Sequence, residues 1–221
     1  MKLNNKILLV ILLTAIVFTI STKNSFSQVT DFDNNSYRTI TIGTQEWTAE
    51  NLNVAHYRNG DEIPQVQDKD KWAKLTTGAW CYYENKTDNG TTYGKLYNWY
   101  AVNDPRGLAP EGWHVPVSKE WKQLSGAIGE DSFIGGHMKS TTLWSSPNNG
   151  ADNSSDFSAL PAGTRVVSGG FMNILKYCGF WSASEDGGNF SWVYGLNYNN
   201  AGLNRNSIVK GSGFSVRIVK D

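Results

Sequence analysis

Polar and apolar positions alternate along residues 37–43, and this pattern predicts a β-strand near the start of the chain. The segment is rich in β-branched side chains, which favour extended backbone. Turn-forming residues precede it at positions 31–36, so we expect a hairpin that pairs the strand with the residues before the turn. Residues 45–47 would continue as a second strand or lie at its edge. The domain should therefore open with a small sheet.

Helical spacing of apolar residues occurs twice in the middle of the chain. It is present within residues 93–102 and again within residues 121–128, where Ser118 is the expected capping residue. The prolines and glycines of residues 105–116 exclude regular structure between the two segments. We expect two short helices.

A long polar stretch, residues 145–163, has neither period and predicts a long loop held down by Phe157 and Leu160. Gly135 and Gly136 indicate a turn ahead of it. The order of the predicted elements along the chain is strands, then helices, then strands. This order suggests an α+β domain, with two short helices packed on small, mainly antiparallel sheets. The later strand-like segments are residues 164–167, 178–184, 191–198 and 213–219.

The amino terminus has the pattern of a secretory signal peptide at residues 1–27. Two lysines precede an apolar run at residues 7–20, and small residues at Ser25 and Ser27 offer a cleavage site. The run is shorter than the roughly 20 residues that a membrane-spanning helix needs. We expect residues 28–221 to be exported as one domain to the periplasm, the cell surface or the medium, without stable membrane insertion. An uncleaved anchor is the alternative.

Charge gives little support for nucleic acid as a partner. The chain has 20 basic and 20 acidic residues, and cleavage would remove three lysines and no acid, leaving 17 basic against 20 acidic side chains. No run of Lys or Arg matches a phosphate backbone. We therefore expect no nucleic-acid binding.

Aromatic residues and glycines dominate the expected mature domain. All 9 Trp and all 22 Gly follow the signal segment, so an aromatic core in a loop-rich fold is expected. Cys81 and Cys178 are the two cysteines. Export permits a disulfide between them, and a pair of buried thiols is the alternative.

Catalytic chemistry is weakly represented. His56, His114 and His137 stand in unrelated contexts, and the sequence contains no His-x-x-x-His or Cys-x-x-Cys motif. Paired acids such as Glu185 and Asp186 would suit glycoside hydrolysis only at a separation that sequence does not define. We expect a protein that is not an enzyme.

The long loop is also the candidate for a metal site. Oxygen-bearing side chains at Asp152, Asn153 and Asp156 are of the type that Ca²⁺ prefers, although their order is not that of an EF-hand. Solvated turn residues are the alternative explanation. Calcium is thus the one cofactor to consider.

Aromatic side chains near that loop are the candidates for sugar binding. Trp192, Tyr194 and Tyr198 share one face of an alternating strand, and Trp144 precedes the loop. Such rings can accept the apolar face of a pyranose. The alternative is that they form the inner face of a sheet.

Six motifs occur in one order across residues 31–221: DFDNNSYRTITIGTQEWTAENL, WCYYENKTDNGTTYGKLYNWYAV, GWHVPVSKEW, DFSALPAGTR, FWSASE and GFSVRIVKD. Together they resemble the Fibrobacter succinogenes major paralogous domain. This resemblance implies an exported, often surface-associated bacterial protein without an established reaction, with a fold similar to C-type lectin-like domains.

The segment at residues 112–121 also resembles, more distantly, a corner of formylglycine-generating enzymes. That chemistry uses a closely spaced cysteine pair near the C-terminus, which this chain lacks. The sequence therefore favours a non-catalytic, lectin-like module that binds a glycan or another cell-surface ligand. The alternative is a structural or adhesive envelope protein that binds other proteins.

Overall fold

A computed structural model describes residues 27–129 and 132–221; nearly all of the predicted signal peptide, residues 1–26, lies outside this part of the chain. The described residues form twelve strands, five α-helices and one short 3₁₀ helix at Tyr83–Asn85. The strands are β1 (Gln28–Thr30), β2 (Ser36–Ile42), β3 (Gln45–Thr48), β4 (Trp80–Cys81), β5 (Leu96–Tyr97), β6 (Trp113–His114), β7 (Thr164–Arg165), β8 (Phe171–Met172), β9 (Tyr177–Gly187), β10 (Phe190–Asn197), β11 (Asn204–Val209) and β12 (Val219–Lys220). The α-helices are α1 (Lys69–Trp72), α2 (Thr87–Tyr93), α3 (Trp99–Val102), α4 (Ser118–Ile128) and α5 (Ile134–Met138).

Four small sheets contain the strands. The largest has the order β1-β2-β3-β12-β6, the second is β11-β10-β9, and β4-β5 and β7-β8 form two-stranded pairs. Every strand pair in these sheets is antiparallel. The predicted α+β class is therefore confirmed, with more short helices in the described residues than the two expected.

The opening hairpin forms as predicted. Val29 pairs with Tyr37 in β1 and β2, and Ile40 pairs with Trp47 in β2 and β3. Asp31 stabilises the first turn by accepting hydrogen bonds from the backbone N–H groups of Asp33 and Asn35. The sheet later receives β12, which pairs with β3, so the two ends of the described chain lie in one sheet.

The single helix predicted over residues 93–102 is wrong. Tyr93 ends α2, and Gly94 follows with a φ of 76°, a left-handed conformation that stops the helix. Strand β5 comes next, and the side chain of Asn98 then caps α3 by accepting the N–H of Ala101 at 3.1 Å. The end of one helix, a strand and a second helix therefore occupy the segment whose spacing predicted a single helix.

The turn predicted at Gly135 and Gly136 is also wrong, because both residues lie in α5. A Cβ on Gly135 would lie 2.3 Å from the carbonyl oxygen of Gly202, and one on Gly136 would lie 2.2 Å from that of Gly150. Here glycine permits the close approach of a helix to two loops rather than a turn.

The strand predictions near the C-terminus are confirmed for β9, which extends beyond both predicted limits, for β10, which begins and ends one residue earlier than predicted, and for the start of β7. Residues 213–219 differ, because only Val219 belongs to a strand. Phe214 instead exchanges backbone hydrogen bonds with Tyr97 at 2.9 and 3.0 Å, and Ser215 accepts the N–H of Trp181. This segment therefore links sheets. Strand β11 was not predicted.

The core is aromatic, as expected. In one cluster Trp121 lies 5.0 Å from Trp47 and stacks on Tyr194, with ring centroids 4.8 Å apart and an interplanar angle of 13°. A second cluster contains Trp99 and Trp113. The six tryptophans of the family-like motifs, at positions 47, 80, 99, 113, 121 and 181, are all buried. Large aromatic areas thus compensate for the shortness of the helices and strands.

Cys81 and Cys178 are both free and buried, so the possible disulfide does not form. They belong to different core clusters, each surrounded by apolar side chains. Burial raises the pKa of each thiol to about 12. The alternative of two buried thiols is the one observed.

Three fully buried cations, Lys139, Arg165 and Arg217, hold the loops against the core. Most of their hydrogen bonds go to backbone carbonyls rather than to carboxylates. Burial lowers the pKa of Arg217 to about 10, which leaves it charged at neutral pH. The carbonyl acceptors are Asn149, Asn197 and Asn200 for Lys139, Val66, Gln67, Asp68 and Gly169 for Arg165, and Thr48, Phe157 and Ser158 for Arg217.

Candidate functional site

Strands β10 and β11 form a hairpin that places Trp192, Tyr194 and Arg205 close together. Tyr194 pairs with Arg205 across the two strands, and Trp192 pairs with Ser207. The Arg205 guanidinium carbon lies 3.4 Å from the centroid of the Trp192 ring, a cation–π contact. Trp192 is half-buried and Arg205 is exposed, so the pair lies at the surface of the hairpin.

Helix α4 lies beside this hairpin and begins with a capping contact. The Glu120 carboxylate accepts the backbone N–H of Val117 at 2.8 Å, so Val117 rather than the predicted Ser118 is the residue before the first turn. Trp121 and Leu124 form the buried face of the helix. The Tyr194 hydroxyl donates to the Ser118 carbonyl at 3.3 Å and joins helix to hairpin.

A groove of about 430 Å³ separates the helix from the hairpin. We call it the α4–β11 groove. Tyr194 lies between its two sides, Arg205 lines it from the hairpin, and four polar residues of the helix line the other side. Positions 118, 122 and 125 follow helical spacing, which explains why they share one face. The helical lining residues are Ser118, Lys119, Lys122 and Ser125.

The groove is basic, and within the described residues its cations lack carboxylate partners. Lys119 and Lys122 are exposed, and within the described residues neither they nor Arg205 form an ion pair with an acid. The buried hydroxyl oxygen of Ser118 has no hydrogen-bond partner in that same part of the chain. The groove therefore presents hydrogen-bond donors and positive charge to solvent.

Of the four predicted aromatic residues, Tyr194 lines the groove and Trp192, Trp144 and Tyr198 lie outside the lining. Trp144 is 9% exposed and donates its indole N–H to the Ala159 carbonyl at 2.9 Å, so it anchors the long loop, residues 145–163. Tyr198 is partly buried, and its carbonyl accepts the N–H of Asn149 in the same loop. The structure thus places Tyr194 in the core, as the alternative of an inner sheet face predicts, leaves Trp192 half-buried on the hairpin, and assigns Trp144 and Tyr198 contacts with the loop.

The predicted calcium ligands make contacts within the long loop. Asp152 accepts the backbone N–H of Ser154 and contacts the His137 imidazole at 2.9 Å, and both interactions hold the pKa of its carboxyl below the usual value. Asn153 exchanges two hydrogen bonds with Ser158. Among the described residues no group of three or more His, Cys, Asp or Glu side chains is placed to hold a metal.

Asp156 and its neighbours shape the loop through their backbone. Asn148, Asn153, Asp156 and Ser158 all have positive φ angles between 44° and 58°. Asn and Asp tolerate this conformation better than most residues, which accounts for their abundance in the loop. Phe157 is fully buried between these turns, as predicted, and fixes the loop to the core.

A second cleft, of about 450 Å³, lies between β2, α2 and residues 49–53. Its amides are engaged in internal hydrogen bonds: Asn51 donates to the Tyr93 carbonyl and accepts from Arg217. Its charged pair, Arg38 and Glu50, is joined at 3.8 Å. The α4–β11 groove is the better candidate site, because within the described residues none of its cations is paired with an acid.

Each histidine contacts a carboxylate. His56 pairs with Asp33, and His114 lies between Asp221 at 2.6 Å and Glu120 at 2.8 Å. Burial lowers the pKa of His114, but the hydrogen bonds to Asp221 and Glu120 outweigh it and raise the pKa above its ordinary value. This imidazole ties β6 to α4 and to the last residue.

Sequence reasoning missed the cations of the groove. Lys122 could have been placed on the same helix face as Ser118 and Ser125 from its spacing to them, since all three lie opposite the buried positions of α4. Arg205 had no such signal, because the polar segment around it does not have the alternation of a buried strand. Its position follows from pairing with β10.

The family model described as the Fibrobacter succinogenes major domain matches residues 40–220. No curated protein matches the chain. Among the described helices, none combines the length and apolar composition that crossing a membrane requires.

Proposed function

We propose that this chain, which belongs to the Fibrobacter succinogenes major domain family, is an exported, non-catalytic, C-type lectin-like module that binds a glycan. The observation that carries the proposal is the α4–β11 groove, where the Trp192–Arg205 pair stands beside an open space lined by Tyr194. Short helices, small antiparallel sheets and long loops support the lectin-like assignment. The pattern of residues 1–27 supports export.

The groove has the components that sugar recognition needs. Ligand sites combine apolar or aromatic surface with a few positioned polar groups, in spaces of about 300–1,000 Å³. Tyr194 lines the groove, Trp192 stands beside it under the Arg205 guanidinium, and Lys119 and Lys122 offer donors for hydroxyl groups. A pyranose can therefore meet an aromatic side chain on one side and helix side chains on the other.

The non-catalytic part of the proposal is supported by the state of the reactive groups. The thiols of Cys81 and Cys178 are buried with pKa values of about 12, so neither is a thiolate nucleophile at neutral pH. Glu185, one of the paired acids, forms an ion pair with Lys210 at 3.1 Å. These groups take part in packing and charge pairing.

A glycan array followed by calorimetric titration tests the proposal. We expect residues 28–221 to bind at least one glycan, and Trp192→Ala to weaken binding about tenfold or more through loss of the ring. Phe32→Ala is the matched control, because Phe32 is an exposed aromatic residue outside the groove lining. Unchanged melting temperatures would show that both variants fold. Absence of any bound glycan, or a Trp192→Ala affinity equal to wild type, would refute the proposal.

A structural or adhesive protein that binds other envelope proteins is the second candidate. Leu143 and Leu175 favour it, since both are close to half exposed and both have positive φ angles, which are costly for leucine. The N–H of Ser145 donates to the Leu175 carbonyl and joins the two segments. Protein binding that is lost in Leu175→Ser and retained in Trp192→Ala would support this function over glycan binding.

A further inference from the structure

The α4–β11 groove has a charge that limits which glycans it suits. Resting on the glycan-binding function proposed above, we infer that the groove selects acidic polysaccharides, whose sugars carry carboxylate or sulfate groups. Three cations, Lys119, Lys122 and Arg205, line one space of about 430 Å³. The chain as a whole has equal numbers of acidic and basic residues, so this concentration is local.

Three other exposed cations of the molecule are each paired with an acid. Lys86, Arg106 and Lys220 each lie within 2.7–2.8 Å of a carboxylate oxygen. Within residues 27–129 and 132–221, by contrast, no acid forms an ion pair with the three groove cations. A negatively charged ligand would therefore gain contacts without displacing an internal partner, and the positive charges would repel one another less once it bound.

The end of α4 adds to the positive potential. The helix has 11 residues and begins at Ser118, in the groove lining, so the positive end of its dipole lies there. The dipole favours an anion at the same end of the groove as Lys119 and Lys122.

The remaining contacts point to a sugar acid rather than to a simple ion. Arg205 is oriented by its contact with Trp192, and Tyr194 lies between the charged walls. A sugar ring can contact Tyr194, the aromatic residue of the lining, while its acid group contacts the lysines. Three cations are too few for the long phosphate track that nucleic acids require.

The test compares charged and uncharged forms of one sugar. Oligosaccharides with uronate or sulfate groups are titrated into residues 28–221 beside their carboxyl-reduced or desulfated partners. The double variant Lys119→Gln/Lys122→Gln is compared with Lys71→Gln/Lys74→Gln, which removes two exposed lysines from the region of α1 and changes net charge equally. Polyglutamate of similar charge serves as the ligand control.

We expect acidic forms to bind at least about tenfold more tightly than their neutral partners, with a loss of about tenfold in the Lys119/Lys122 variant and none in the Lys71/Lys74 variant. Added salt should weaken binding. Equal affinity for acidic and neutral forms would overturn the inference and leave glycan binding intact. Polyglutamate binding as tight as the sugars would also overturn it, since charge alone would then suffice. If no oligosaccharide of either kind binds, the proposed function itself fails.

Discussion

Replacing Lys139 by methionine should destabilise the protein by loosening the long loop. The ammonium group is fully buried and donates to three carbonyls at 2.8–2.9 Å: Asn149 in the loop, Asn197 at the end of β10, and Asn200 in the turn that follows. Methionine retains most of the side-chain volume but donates no hydrogen bond. The substitution therefore removes the three bonds together with the contact of the ammonium group with the Trp144 ring, 5.5 Å from its centroid.

The expected magnitude follows from two opposing terms. Hydrogen bonds to a charged group contribute about 1.5–3 kcal/mol each, and all three are lost. Burial disfavours the charged lysine, as its lowered pKa shows, and methionine avoids that cost. Asn149 and Asn200 are exposed residues, so water can reach their carbonyls in the variant. We expect a net loss of about 2–4 kcal/mol in unfolding free energy, or about 4–16 °C in melting temperature for a domain of this size.

Urea unfolding and limited proteolysis measure the effect. The free energy of unfolding should fall in Lys139→Met, and cleavage within residues 145–163 should become faster, because the loop loses one of its anchors. The control is Lys74→Met, which removes an exposed lysine after α1 and should change the melting temperature by about 2 °C or less. A Lys139→Met variant as stable as this control would refute the argument that carbonyl capture by Lys139 holds the loop.

Three further predictions concern charge, thiols and calcium. Although burial opposes the shift, the flanking carboxylates raise the pKa of His114. The stability that this charge contributes is therefore complete below about pH 6.5 and is lost as pH rises through the folded-state pKa. The difference in melting temperature between wild type and His114→Gln should be larger at pH 6 than at pH 9, and a constant difference would contradict this. Cys81 and Cys178 should resist a thiol reagent in the native protein and both react in denaturant, and rapid native labelling would show that they are accessible. Because Asp152 already contacts His137, millimolar Ca²⁺ should leave the melting temperature unchanged, whereas a chelator-reversible rise would support a calcium site in the loop.

The strands with regular alternation were predictable, because local side-chain pattern and sheet burial agree there. The opening hairpin and β10 illustrate this agreement. The helix error arose where local signals conflict: apolar spacing continues through Gly94 and Asn98, but the first ends one helix and the second caps another. At Gly135 the error was the reverse: a turn was predicted where a helix forms, because the small size of this glycine serves packing against Gly202 rather than a turn.

The candidate site was only partly predictable for a related reason. Trp192 and Tyr194 followed from alternation along one strand. Lys119 and Arg205 are 86 positions apart in the sequence and come together only because α4 lies against the β10–β11 hairpin. A long-range contact of this kind leaves no periodic signal in either segment. The same holds for the buried cations, most of whose acceptors are main-chain atoms with no side-chain signature.

The carbonyl acceptors of Lys139, Arg165 and Arg217 have a consequence for how this fold can change its surface. Every amino acid supplies a main-chain oxygen, so the loops held by these cations can exchange side chains while their anchors persist. An anchor built from aspartate or glutamate would constrain the loop sequence and would weaken in acid. Here the identity of the cation is constrained, whereas the side chains of the loop that it binds are not. Substitutions in the loops can thus alter what the surface recognises with little change in how the chain folds.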